Sequence, residues 1–87
     1  MTYQLAFTTR ARKDAKKLAR SGLQAQAQRL LEVLQENPFR NPPPHEKLVG
    51  DLQGCYSRRI NLQLRLVYEV LEPDGIVRVL AMWSHYE

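Results

Sequence analysis

Cysteine is almost absent from this chain of 87 residues, which contains only Cys55. A single thiol cannot form an internal disulfide, and it leaves too few thiolates for a cysteine-based zinc site. No motif of a nucleophilic cysteine surrounds Cys55. We therefore expect a structural thiol that is buried or half-buried in the fold.

Long hydrophobic runs are also missing. No apolar stretch approaches the roughly 18 residues of a membrane span. The first residues, Met1–Gln4, have neither the charged start nor the apolar stretch of a secretory signal. The sequence shows no internal repeat and no low-complexity tract. These absences predict a cytoplasmic protein with no membrane partner.

The residues that are present indicate a small, basic, folded domain. A hydrophobic content of 44% is sufficient for a core, and the length predicts one domain over residues 1–87. The formal net charge of +4 favours a polyanionic or acidic partner. Six cations fall within eleven residues, opposed only by Asp14: Arg10, Arg12, Lys13, Lys16, Lys17 and Arg20.

The first half of the chain has one strand pattern followed by two helix patterns. Residues 3–7 alternate as in a half-buried strand, and Thr8 or Thr9 can cap the helix that follows. A break at Ser21-Gly22 precedes a second helix that stops at Asn37-Pro38. Both helices carry an apolar stripe, formed by Ala11, Ala15, Leu18 and Ala19 in the first and by Leu23, Ala27, Leu30, Leu31 and Leu34 in the second.

The second half has a proline-rich extended segment and then three strand patterns. The segment covers residues 37–45, and the strands cover roughly 55–61, 64–71 and 76–83. The turn Pro73-Asp74-Gly75 joins the last two strands. The predicted fold class is α+β, with a small, largely antiparallel sheet, an N-terminal helical hairpin on one face and the order β-α-α-β-β-β.

Two arginines fall on either side of the short connection between the first two of these strands. If Asn61, Leu62 and Gln63 form the loop, Ile60 pairs with Leu64, and Arg59 lies opposite Arg65. Like charges in that arrangement destabilise a sheet unless an anion is present. A two-residue loop would separate the two arginines. Pairing of each arginine with Glu46, Glu69 or Glu72 is the structural alternative.

The sequence supplies candidates for cleaving RNA through its 2′-hydroxyl. That reaction needs a base, an acid for the leaving oxygen and cations for the charge on phosphorus, but no metal or cofactor. Glu46 is the candidate base and His85 the candidate acid. Arg65 and Arg59 are candidate phosphate clamps, and Tyr86 can stack on a base or orient the phosphate.

Each of these residues also has a simpler interpretation. A glutamate after prolines is commonly a solvated surface residue, and a histidine near the end of a chain is commonly part of a polar tail. His45 beside Glu46 is a competing titratable group. The aromatic residues of the strands, Tyr56, Tyr68 and Trp83, fit a sheet or core role better than a base platform.

The second half resembles the Txe/YoeB branch of the RelE-like bacterial toxins, whose members cut messenger RNA in the ribosome. The resemblance spans roughly residues 45–86. It is carried by three blocks, His45-Glu46-Lys47-Leu48, Leu52-Gln53-Gly54-Cys55-Tyr56-Ser57-Arg58-Arg59-Ile60 and Arg65-Leu66-Val67-Tyr68, and by the closing His85-Tyr86. The first half resembles the family only in its layout of one strand and a helical hairpin.

The resemblance implies a role for each matching residue. The family's general base corresponds to Glu46, its general acid to His85 and its phosphate-stabilising arginine to Arg65. Tyr86 corresponds to an aromatic that orders the RNA, and Arg59 to a second phosphate contact. Two further basic residues complete the predicted RNA-binding set: Lys47 and Arg58.

The resemblance also implies a microbial-RNase-like fold and a set of partners in a bacterial cytoplasm. These partners are a cognate antitoxin that covers the basic active face, the ribosome with its mRNA, and a second copy of the toxin, since dimers are common in this branch. Operator DNA is expected only through the antitoxin complex.

The sequence departs from the family pattern at three places. Leu64 stands where the family often has a histidine, Val49 stands where a basic residue is common, and Glu87 follows the terminal tyrosine. The predicted function is a metal-independent, ribosome-dependent endoribonuclease. The main alternative is a non-enzymatic ParE-like toxin that binds DNA gyrase, and a third is an antitoxin-binding module without catalysis.

Overall fold

The computed structural model describes residues 2–42 and 44–85, with His85 described by its backbone alone. Two helices precede most of the sheet. In chain order the elements are β1 (Gln4–Phe7), α1 (Thr9–Arg20), α2 (Gln24–Glu36), β2 (Glu46–Lys47), a 3₁₀ turn (Gly50–Leu52), β3 (Cys55–Arg59), β4 (Leu64–Leu71) and β5 (Ile76–His85).

The five strands form one sheet in the order β1-β5-β4-β3-β2. The pairs β3–β4 and β4–β5 are antiparallel, as predicted, and the pair β2–β3 is antiparallel too, whereas β1 runs parallel to β5. The sheet is therefore mixed. A parallel pair requires a long connection, and here the helical hairpin and three strands separate β1 from β5 in the chain.

The helices cover one face of the sheet. The main core joins helix residues such as Leu18 and Leu34 to sheet residues such as Leu66, Tyr68 and Val79. A second, smaller cluster contains Cys55, Val67 and Ala81, with Leu48 and Leu80 packed against it. Successive residues of a strand point to opposite faces, so the two clusters lie on opposite faces of the sheet. The predicted apolar character of both faces of β4 reflects these two clusters.

The start of α1 is fixed by one of the two candidate caps. The hydroxyl of Thr8 accepts a hydrogen bond from the backbone N–H of Ala11 and donates one to the carbonyl of Leu80. Thr8 therefore caps the helix and ties it to β5. Ala11 and Leu18 of the predicted stripe are buried, but Ala19 is exposed. The buried stripe of this helix is therefore narrower than predicted.

The segment after α2 leads directly to a strand that the sequence pattern does not predict. Helix α2 ends at Glu36, and Pro38 is fully buried. Strand β2 contains only Glu46 and Lys47, paired with Ser57 and Tyr56 of β3. Two polar residues show no recognisable alternation, so only the tertiary pairing with β3 reveals β2.

Candidate functional site

The turn between β3 and β4 brings two arginines together. The side-chain oxygen Oδ1 of Asn61 accepts hydrogen bonds from the backbone N–H groups of Gln63 and Leu64, at 2.8 Å each. The N–H of Ile60 donates to the carbonyl of Leu64 at 2.8 Å. The loop is therefore the three-residue one, and Arg59 pairs with Arg65 across the two strands. The conditional prediction of this register is confirmed.

Glu46 lies on the same face of the sheet as this arginine pair. It pairs with Ser57 of β3, and Ser57 is two residues before Arg59 in the same strand. Residues at positions i and i+2 of a strand share a face, and directly paired residues project to the same side. Glu46, Arg59 and Arg65 therefore share the face that the helices do not cover.

Strand β5 carries the chain past this group to His85. Ser84 pairs with Arg65, and the backbone of His85 pairs with Leu64. The position of the predicted acid is thus one residue beyond the direct partner of Arg65. The side chain of His85 and all of Tyr86 lie outside the described residues, so their assigned roles stay predictions.

Arg58 does not lie on the face of the sheet shared by Glu46, Arg59 and Arg65, and its predicted RNA contact needs correction. Its side chain is only 1% exposed, because strand alternation places it on the helix-covered face. Its Nε donates to the hydroxyl of Tyr68 at 3.2 Å. Its Nη2 donates to the carbonyls of Pro38 and Arg40, at 3.0 and 2.8 Å. The charge of this arginine is therefore directed to the segment before β2 rather than to solvent.

Lys47 is exposed, but it alternates with Glu46 and so projects to the other face. Its pairing partner is Tyr56. The structure therefore separates Lys47 from the arginine pair, and a contact of Lys47 with RNA would have to cross the edge strand β2.

The aromatic residues near β2 form one cluster. The rings of Tyr56 and Tyr68 stack with centroids 5.7 Å apart, and the rings of Phe39 and His45 form T-shaped pairs with Tyr56, at centroid distances of 5.6 and 5.8 Å. Burial raises the pKa of Tyr68, although the neighbouring Arg58 acts in the opposite direction. The core role predicted for Tyr68 is confirmed, since this side chain is completely buried.

The surroundings of His45 disfavour its protonated form. Its Nδ1 is buried and forms no hydrogen bond of acceptable geometry with the described residues. Desolvation lowers the pKa of His45, and the positive charges of Arg58 and Lys47 lower it further, against an opposing effect of the nearby backbone of Arg40. A histidine with these neighbours takes up a proton less readily than an exposed one.

Cys55 is buried in the smaller hydrophobic cluster, on the face of the sheet that the helices do not cover. Burial raises the pKa of its thiol, and the carboxylate of Glu69 raises it further. A thiol with a raised pKa is mostly protonated and a poor nucleophile. The expectation of a structural thiol is confirmed.

The basic helix α1 contacts the sheet through two polar interactions that the sequence does not predict. The Nζ of Lys17 lies 4.6 Å from the ring centroid of Trp83. The carboxylate of Asp14 accepts a hydrogen bond from the backbone N–H of Met82 at 3.0 Å. The only acidic residue of the basic run therefore ties α1 to β5.

In the described part of the chain, no three side chains of His, Cys, Asp or Glu lie close enough together to hold a metal ion. None of the helices described is both long and apolar enough to cross a membrane.

Solved structures share this architecture over nearly the whole chain. The YoeB/ParE toxin from Agrobacterium tumefaciens has a TM-score of 0.86 and 27% sequence identity, over 95% of this chain and 99% of that one. The YoeB dimer from Staphylococcus aureus has a TM-score of 0.82 and 29% identity, over 99% and 100%. YafQ from E. coli, at 15% identity and a TM-score of 0.79 over 94% of this chain and 92% of its own, shares the fold.

Sequence relatives give the same family. Toxin YoeB from Streptomyces coelicolor is 41% identical over 58 residues, which is 67% of each chain. Toxin RelK from Mycobacterium tuberculosis is 40% identical over 58 residues, and the match spans 67% of this chain but 66% of the relative, just under two thirds of its length. The family model described as the YoeB-like toxin of bacterial type II toxin-antitoxin systems matches residues 7–86. The chain therefore belongs to the YoeB-like family of type II toxins.

Proposed function

We propose that this toxin is a metal-independent endoribonuclease that cuts messenger RNA in the ribosome and so inhibits translation. The observation that supports this proposal is the shared face of Glu46, Arg59 and Arg65, created by the β2–β3 and β3–β4 registers. A carboxylate beside two guanidinium groups matches the needs of phosphodiester cleavage, in which one proton is removed and negative charge builds on phosphorus.

The proposed reaction uses the RNA's own nucleophile. Glu46 removes the proton of the 2′-hydroxyl, and the 2′ oxygen forms a bond to phosphorus. Arg65 and Arg59 stabilise the charge on the non-bridging oxygens through charge-assisted hydrogen bonds. The bond to the 5′ oxygen then breaks, and His85 supplies the proton that this leaving oxygen takes up. The products are a cyclic phosphate and a free 5′-hydroxyl, and Tyr86 orders the RNA at the site.

The partners proposed for the toxin are a cognate antitoxin, the ribosome with its mRNA and a second toxin copy. The Staphylococcus aureus relative is described as a dimer, and also in a heterotetrameric complex with the antitoxin YefM. An antitoxin that places acidic residues over the arginine pair would block the proposed site directly. Binding to operator DNA is proposed only for the toxin–antitoxin complex.

Growth arrest in bacteria tests the proposal with two site variants and one control. Glu46→Gln and Arg65→Ala are expected to abolish arrest while still binding the antitoxin. Glu32→Gln, which removes one exposed carboxylate from α2, is the control and is expected to stay toxic. Full toxicity of both site variants would refute the nuclease, and inhibition of DNA supercoiling by the same variants would then support the ParE-like alternative.

A further inference from the structure

Side chains from the sheet hold the start of the segment that leads to Glu46. Pro38, Pro42 and Pro44 have no backbone N–H, so they cannot donate hydrogen bonds that would anchor it. The local bonds that hold its start are those from the N–H groups of Phe39 and Arg40 to Asn37. Buried carbonyls of this segment require donors from elsewhere.

Arg58 and Tyr68 supply those donors. The carbonyl of Pro38 accepts from both the Nη2 of Arg58 and the hydroxyl of Tyr68, each at 3.0 Å. The carbonyl of Arg40 accepts from the same Nη2 at 2.8 Å. We call these two side chains with the two carbonyls the Arg58 network. It attaches the segment to β3 and β4, the strands that carry the arginine pair.

From these contacts we infer that Arg58 is a positioning residue for Glu46. This role of Arg58 rests on the proposed function, in which Glu46 is the base. Strand β2 has only two residues, and its C-terminal side is held by the bond from the N–H of Leu48 to the carbonyl of Cys55 at 2.9 Å. On its N-terminal side, five residues (41–45) separate Glu46 from Arg40, whose carbonyl belongs to the Arg58 network. The rings of Pro42 and Pro44 fix φ near −65°, so a shift at Arg40 should displace Glu46.

A lysine cannot replace Arg58 in this role. The planar guanidinium donates in fixed directions to three oxygen atoms at once, whereas an ammonium is a point charge on a flexible stem. Misplacement of a catalytic group by about 1 Å can cost roughly 100-fold in rate. Arg58→Lys is therefore expected to reduce the cleavage rate by about 10- to 100-fold.

Single-turnover cleavage of mRNA on programmed ribosomes tests the inference. If Arg58 acts through Glu46, Arg58→Lys should cause no further loss when it is added to Glu46→Gln, because residues that act as a unit are not additive. Independent roles would instead multiply the two losses, and that result would overturn the inference. The salt dependence of RNA binding should also be unchanged in Arg58→Gln, since loss of a direct phosphate contact would lower the log–log slope by about 0.7.

Two further variants separate positioning from a general loss of stability. Tyr68→Phe keeps the buried ring but removes the hydroxyl, and we expect about tenfold slower cleavage. Val77→Ala weakens the core where β5 pairs with β1, on the opposite side of the sheet from β2 and β3, and should cleave at the wild-type rate below its unfolding temperature. Hydrogen exchange at the N–H of Leu48 should accelerate in Arg58→Lys and Tyr68→Phe but not in Val77→Ala. Equal exchange in all three variants would contradict the inference.

The inference and the proposed function can fail separately. If Glu46→Gln is inactive while Arg58→Lys and Tyr68→Phe cleave like the wild type, Arg58 has no positioning role and the nuclease stands. If Glu46→Gln cleaves like the wild type, the proposed base is wrong, and the inference falls with it.

Discussion

Arg59 and Arg65 pair directly across β3 and β4, so two positive charges share one side of the sheet. Like charges placed directly opposite each other destabilise a sheet. Under the proposed function, an RNA phosphate bound between the two guanidinium groups would offset this repulsion.

The arginine pair should contribute to the salt dependence of RNA binding. In the Glu46→Gln background, which should leave RNA uncut, adding Arg59→Ala or Arg65→Ala should reduce the log–log salt slope by about 0.7, the value for one phosphate on a single strand. Arg78→Ala is the control, because Arg78 lies opposite Glu69 near the start of β5, whereas Arg65 lies opposite Ser84 near the end of that strand. Fluorescence anisotropy over a salt series measures the slopes. Equal slopes for all variants would exclude phosphate contact by the pair.

Asn61 should fix the register that creates the pair. Asn61→Ala removes the acceptor of two backbone N–H groups, and we expect a loss of about 1–2 kcal/mol in the free energy of unfolding. Asn61→Asp keeps the acceptor oxygen and should retain most of the stability. Urea unfolding compares the two with Gln63→Ala, an exposed neighbour in the same loop. A loss in Gln63→Ala as large as that in Asn61→Ala would argue against the Asn61 turn.

His45 should make the protein less stable as the pH falls. Its pKa in the folded state is below the ordinary value of 6.5, so the unfolded chain binds a proton more readily. Its contribution to stability is present above pH 6.5 and is lost as the pH falls through the lowered pKa. Thermal unfolding from pH 7.5 to 5 should show a greater decline for the wild type than for His45→Gln. Parallel declines of the two proteins would contradict this assignment.

Local pattern accounts for the parts of the fold and site that the sequence predicts well. Strand β4 has the predicted bounds, 64–71, because its apolar residues are long and continuous and a turn lies on each side. The pairing of Arg59 with Arg65 follows from loop length and strand geometry alone. The helices follow from their apolar stripes and from the stop at Asn37-Pro38.

Features that depend on distant contacts could not be predicted in the same way. The parallel pairing of β1 with β5 joins the two ends of the chain, and no local pattern specifies it. Strand β2 is too short to show alternation. The burial of Arg58 did leave a signal, since alternation places Arg58 on the face of Tyr56 and Ile60, opposite Arg59. Its charge and its position beside Arg59 obscured that signal.

Cleavage mapping in a cell-free translation reaction tests most directly whether the toxin cuts mRNA by the proposed acid–base chemistry. Wild type, Glu46→Gln and His85→Ala would be compared at equal concentration, with the 5′ ends of the fragments mapped. We expect discrete cuts at translated codons for the wild type and a loss of about 10²–10⁴ in rate for each variant. Intact mRNA with unimpaired translation in the presence of the folded wild type would contradict the account.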